Sequence, residues 1–306
     1  MDRMLKIVNS FAGGAVILSL SACLTAAQRS PAGRFDGQKA LDHVKAMVAL
    51  GPRPAGSPAL AKTRDYIKKE LSALGLEVDE QPFDASTPVG TLKMVNLSAT
   101  IGGQAAKRII IAGHYDTKLF RDAKFVGAND GGSSAAFLIE MARALKQAPI
   151  ATPVELLFFD GEEAVRTEWV DPDNRYGSRH YVDAARTSGR LGAIGALILV
   201  DMIGDRDLRI KREARSTGWL TDIIWDAAAA MKRQQFVEET TPIEDDHIPF
   251  LEAGVPAVDL IDLEYEAWHT PADTVDKVSA GSLQAVGDVV LAALPGIEKR
   301  ISAGGR

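Results

Sequence analysis

Two adjacent carboxylates, Glu162 and Glu163, follow an Asp160-Gly161 pair at the end of the apolar run 154–159. The run reads as a buried strand, and Asp-Gly is a turn that stops it. A strand that delivers two acids at its end buries charge, which is costly unless something compensates. A divalent metal compensates economically, with one glutamate as ligand and its neighbour as general base. A lone Glu-Glu pair would equally suit the start of a helix, where acids favour the dipole. The pair therefore takes its meaning from residues of the same kind at equivalent places in the chain.

Those residues exist. The Ile-rich run 108–112 leads into His114-Tyr115-Asp116, and 125–128 leads into Asn129-Asp130 within a Gly- and Ser-rich turn. The run 196–200 delivers Asp201, and 257–261 leads through a loop to Trp268-His269. Ligand sites in open α/β sheets lie beyond the carboxyl ends of the strands, and each of these runs ends in a metal-capable or acid–base residue. Two histidines and several carboxylates on one rim suit zinc, which accepts nitrogen and oxygen ligands. A further acidic stretch is Glu244-Asp245-Asp246, in which Asp246 reads as a helix cap. Three consecutive acids exceed what capping needs, so at least one is expected to face the site; the residues alone do not say which.

The elements that must position these groups are legible from periodicity. Helices are expected over 37–50, from Ser57-Pro58 to about Leu74, and over 133–145, 178–185, 218–232 and 282–294. Strands are expected over 77–83 and 92–100, paired as a hairpin, and then over 108–112, 154–159, 196–200 and 257–261. Alternating strands and helices predict an α/β fold: a three-layer α/β/α sandwich around a mixed, mostly parallel central sheet. One catalytic domain is expected over about 35–300, with neither internal repeat nor low-complexity tract.

Composition agrees: 306 residues, 46% hydrophobic and 25% charged, can bury an ample core. A net charge of −6 with dispersed basic residues offers no electrostatic case for nucleic acid. Residues 1–26 read as an export leader: Arg3 and Lys6 precede an apolar run too short to span a bilayer comfortably. Leu20-Ser21-Ala22-Cys23 resembles a bacterial lipobox, making Cys23 the lipidated residue and the lipid anchor the one expected membrane contact. The alternative is an ordinary signal peptide cut near Ala26-Ala27. Either way the mature protein is expected outside the cytoplasm, as a periplasm-facing lipoprotein or as a periplasmic or secreted enzyme. Cys23 is the only cysteine, so no intramolecular disulfide can form.

The set His114-Tyr115-Asp116, Asn129-Asp130, Gly161-Glu162-Glu163, Asp201 and His269 resembles the zinc-dependent M28 peptidase superfamily. Tyr176-Gly177-Ser178-Arg179-His180, Asp201-Met202-Ile203-Gly204, the stretch 244–250 and Trp268-His269-Thr270 look more closely like its animal-type glutaminyl-peptide cyclotransferases. The resemblance covers about 40–294 and implies a zinc aminopeptidase-like fold. It implies one zinc held by Asp130, Glu163 and His269, with Glu162 as general base and acid. Asp201 and Asp245 would share a hydrogen-bond network with Glu162, and Trp268, Trp169 and Tyr265 would belong to the substrate pocket. The implied reaction converts the N-terminal glutamine of a peptide or protein to pyroglutamate and releases ammonia. The peptidases of the superfamily hold a second zinc through residues matching His114 and Asp201, both present here, so an exported two-zinc aminopeptidase is the alternative. The chain departs from the animal enzymes in lacking their disulfide and in one extra residue between Glu163 and Trp169. Its loop before Trp268 is also shorter, and 206–217 is more charged.

Overall fold

In a computed structural model the described residues are Met1, 33–148 and 150–303; the expected leader and Cys23 lie outside them. A six-stranded sheet forms the middle layer in the order β1-β2-β4-β3-β5-β8. Its strands are β1 (Asp79–Thr87), β2 (Gly90–Ile101), β3 (Arg108–His114), β4 (Val154–Phe159), β5 (Ile194–Asp201) and β8 (Ala257–Ile261). The β1–β2 hairpin is antiparallel and joins β4 antiparallel through β2, whereas β4, β3, β5 and β8 run parallel. The sheet is therefore mixed and mostly parallel, as the sequence predicts.

Strand alternation sends successive side chains to opposite faces, and both faces are covered. Ile109, Ile111, Leu156 and Phe158 pack in one apolar cluster with α1 (Gly37–Val48), α2 (Pro58–Ala73), α3 (Gly132–Leu145), α5 (Gly218–Ala230) and α7 (Ala280–Ala303). Ile110, Ala112, Leu157 and Phe159 pack in another with α4 (Tyr176–Thr187) and α6 (His247–Glu252). Burial on both faces explains why β3, β4, β5 and β8 read as continuous apolar runs rather than alternating ones.

The helix starts follow local chemistry. Ser57 caps α2 by accepting from the Leu60 N–H, with Pro58 in the first turn. Three features depart from expectation. Residues 125–128 form a loop rather than a strand, held by the buried Arg53, whose guanidinium donates to the Val126 and Gly127 carbonyls at 2.7 and 2.9 Å. A separate two-stranded parallel ribbon, β6 (Ile210–Glu213) and β7 (Phe236–Thr241), lies beside the main sheet; its strands are short and mostly charged or polar, with no apolar run to betray it. The last helix continues through Pro295 to Ala303, because Ile297 and Ile301 on its far turns are buried in the core.

Candidate active site

The carboxyl ends of β3, β4, β5 and β8 meet at one rim, and the loops there enclose a cavity of about 380 Å³. Gly161 and Gly131 set the two tight turns. Each has a positive φ, and a Cβ would fall 2.4 Å from the Met94 sulfur at Gly161 and 2.2 Å from the Asp116 carbonyl oxygen at Gly131. Asp116 then fixes the turn after β4, its two carboxylate oxygens accepting from the N–H groups of Glu162 and Glu163 at 3.2 and 3.3 Å. Asp273 fixes the Asp130 turn in the same way, accepting from Asn129 and Asp130 N–H at 2.8 and 3.1 Å.

These turns bring together side chains spread over more than half the chain. Asp130, Glu163 and His269 present ligand atoms within 4.8 Å of one another. His269 Nε2 stands 3.3 Å from Asp130 Oδ2 and 3.2 Å from Glu163 Oε1. His269 adopts a left-handed backbone, φ 53°, a strained conformation for a residue with a side chain and one that concentrates at functional sites. A second group, His114, Asp130 and Asp201, converges equally closely, with His114 Nε2 3.1 Å from Asp201 and 3.3 Å from Asp130. Asp130 belongs to both.

The donors suit a metal. Asp130 Oδ2 and Glu163 Oε2 are buried and accept no hydrogen bond, with His269 Nε2 3.3 Å from the first and Lys118 Nζ 3.9 Å from the second, an arrangement that a bound cation would stabilise. One imidazole and two carboxylates are ordinary zinc ligands. The titration behaviour of the bare donors agrees. Burial pushes Glu163 up to about 7, and the neighbouring Asp130 adds to it. Burial disfavours the charged form of His269, but the carboxylates of Asp130 and Glu163 outweigh it and raise the ring to about 10.

Glu162 lies next to the trio, buried, with Oε2 3.6 Å from His114 Nδ1. Burial holds its carboxyl well above the usual range, opposed by His114 and reinforced by Glu163, Asp245 and Asp246. Asp245 is itself lifted to about 6 by burial and by Asp201. The expected hydrogen-bond network is not direct: among the described residues no hydrogen bond joins Asp201 or Asp245 to the Glu162 side chain. Asp201 contacts His114, and Asp245 acts on Glu162 through its field.

The acidic stretch divides. Glu244 and Asp245 line the cavity. Asp246 stands at the start of α6 but gives it no side-chain cap; its carboxylate turns inward and accepts from Ser178 Oγ at 2.5 Å. Trp268 and Trp169 line the cavity, and Trp268, 41% exposed, stacks on His269 with ring centroids 4.5 Å apart. Tyr265 is placed differently from expectation. It is buried below the cavity wall, and its hydroxyl donates to Asp273 at 2.7 Å, so it braces the Asp130 turn rather than meeting a ligand. Lys118, Thr167, Ile243 and Leu263 also line the cavity; none stands out by type or spacing in the sequence.

A parallel-centred sandwich with acid–histidine donors and a buried glutamate at its strand ends defines a metal-dependent α/β enzyme. Residues 96–294 match the family model described as peptidase family M28. The chain is 35% identical over 253 residues to a mouse glutaminyl-peptide cyclotransferase-like protein, covering 72% of this chain and 66% of that one. It is 32% identical over 278 residues to the glutaminyl-peptide cyclotransferase of Boiga irregularis, covering 78% and 75%. A crystal structure of an Acidobacteriales bacterium glutaminyl cyclase superposes with a TM-score of 0.84 at 41% identity, over 90% of this chain and 98% of that one. The chain belongs to peptidase family M28, a zinc-dependent family, and within it to the glutaminyl-peptide cyclotransferase group.

Proposed function

We propose that this enzyme cyclises the N-terminal glutamine of peptides or proteins to pyroglutamate and releases ammonia. The observation that carries the reading is Glu162: a buried carboxyl with raised proton affinity, beside a metal-capable trio in a cavity walled by two tryptophans. The peptide's own α-amine attacks its side-chain amide carbon, a carbon–nitrogen bond closes the five-membered lactam, and the amide nitrogen leaves. Glu162 takes a proton from the attacking amine and returns it to the departing ammonia, a role for which a raised pKa is suited. Zinc held by Asp130, Glu163 and His269, one per chain, would supply Lewis-acid polarisation of the amide carbonyl. Asp245 keeps Glu162 proton-hungry, and Trp268 and Trp169 restrict the side chain to reactive conformers and exclude water.

The His114, Asp130 and Asp201 group favours one second reading, a two-metal aminopeptidase in which Glu162 activates water. Mass spectrometry of a Gln-initiated peptide separates the two. The cyclase predicts loss of ammonia with the chain intact, and release of the first residue as a free amino acid would contradict it. The leader supports a further proposal, that the enzyme works outside the cytoplasm, anchored through a lipid on Cys23. The mass of the mature N-terminal peptide checks it, and an unmodified N-terminus downstream of Cys23 would refute the anchor.

A further inference from the structure

Lys118 is the one lysine or arginine on the cavity wall among the described residues, against six acids: Asp130, Glu162, Glu163, Asp201, Glu244 and Asp245. Its side chain is only 2% exposed, and its ammonium donates no hydrogen bond; the nearest ion-pair partner is Glu163 Oε2 at 3.9 Å, beyond hydrogen-bond reach. The ammonium therefore has no acceptor on the protein and lines a cavity that admits a ligand able to supply one. Immediately after it, Leu119 and Phe120 line a second depression with Val89 and Arg166. Thr167 lines both depressions, so they are adjacent.

We propose that Lys118 Nζ donates to the main-chain carbonyl oxygen of the substrate's first residue, and that the rest of the peptide leaves across Lys118 and Thr167 into the second depression. The inference rests on the cyclase reading. An N-terminal glutamine brings two nitrogens and two carbonyl oxygens into the cavity. The acids serve the nitrogens, and the side-chain carbonyl is the group to be polarised, which leaves the main-chain carbonyl as the acceptor for the sole ammonium. Lys118 is thereby a substrate-positioning residue that makes the preferred substrate a peptide with an intact first carbonyl.

The test pairs two proteins, wild type and Lys118→Met, with two substrates, Gln-Ala-amide and its isostere in which the first peptide carbonyl is a methylene. Zinc content of both proteins is measured alongside. A charge-assisted hydrogen bond predicts that the isostere costs the wild type about tenfold or more in kcat/KM, mostly through KM, and costs Lys118→Met less than about twofold. Lys118→Gln, which keeps a neutral donor, is the second variant and retains an intermediate preference. Equal penalties in wild type and Lys118→Met overturn the proposal and leave the cyclase reading standing. So does loss of zinc from Lys118→Met with an unchanged isostere penalty, which would assign the lysine to Glu163 instead. A wild type that forms no pyroglutamate from Gln-Ala-amide overturns the cyclase reading and this proposal together.

Discussion

Two of the histidine–carboxylate clusters among the described residues are built from the same residue types and put to opposite uses. In one, His269 meets Asp130 and Glu163 at the cavity rim. In the other, His247 lies between Glu213, 3.2 Å from Nε2, and Asp259, 3.5 Å from Nδ1, with all three side chains fully buried. Glu213 is saturated: it accepts from the N–H groups of Arg215, Ser216 and Ile243 and from Ser216 Oγ. Those bonds tie the β6 end to the segment that carries Ile243 and Asp245 into the cavity wall. The inner cluster thus holds the wall in place and is closed to any ligand. The rim cluster keeps buried oxygens without partners where a ligand can reach them. Residue type does not separate a site from a core ion network, and neither does saturation, since both Asp259 oxygens and His247 Nδ1 also lack hydrogen-bond partners; access to a cavity does.

That contrast can be broken by substitution. The largest expected effect falls on the rim: Glu162→Gln should lower kcat for ammonia release by a factor of about 10²–10⁴, with the circular dichroism spectrum unchanged. Next comes the core. His247→Ala removes the imidazole between two buried acids and should destabilise the fold by about 3–5 kcal/mol in denaturant unfolding, while zinc per chain stays the same. His269→Ala should do the reverse, lowering bound zinc after dialysis and leaving the fold close to wild type. Zinc lost from His247→Ala and kept by His269→Ala would exchange the two assignments.

A third test concerns Asp160, at the back of the rim. Burial, with Asp116 adding to it, raises its folded pKa from 3.8 to about 7. A carboxyl raised on folding gives its full stabilisation below the unfolded pKa and loses it as pH rises through the folded one. Between pH 4 and pH 7 the wild type should therefore lose stability relative to Asp160→Asn, by about 4 kcal/mol at most, since each unit is worth about 1.4 kcal/mol. A pH-independent difference in unfolding free energy would contradict the placement. The smallest effect is expected at Trp268, half open to solvent: Trp268→Ala should raise KM several-fold for Gln-peptides and leave kcat within about threefold, losing stacking worth roughly 1 kcal/mol.

The same contrast explains how much could be read from the chain. The rim was legible because its residues terminate apolar runs: His114, Glu162, Glu163 and Asp201 each follow a buried strand, and the strand's own hydrophobicity marks the place. His269 lies eight residues beyond Ile261; the strand-end pattern reaches it only through a loop, and the resemblance to a family is what gave it the role of ligand. The inner cluster was opaque. His247 and Asp246 sit in one acidic stretch with Asp245, and nothing local says that Asp245 faces the cavity while Asp246 turns to Ser178 and His247 to Glu213. Those directions are set by where α6 packs, a long-range fact. Tyr265 misled for a similar reason, since an aromatic three residues before Trp268 reads as pocket wall until Asp273 is seen to take its hydroxyl. Lys118 gave no signal, because a lysine after a strand is ordinarily a solvated one. The β6–β7 ribbon escaped because its strands are short and mostly charged or polar, with Ile210 and Phe236 alone buried among their apolar residues.

The central claim is that one cation held by Asp130, Glu163 and His269 makes Glu162 catalytic. Stripping the protein with a chelator and titrating zinc back while following ammonia release from a Gln-peptide tests it directly. The account predicts negligible turnover in the stripped protein and activity that rises linearly to a plateau at one zinc per chain. Full turnover by the stripped protein, or activity that appears only with a second equivalent, would contradict it.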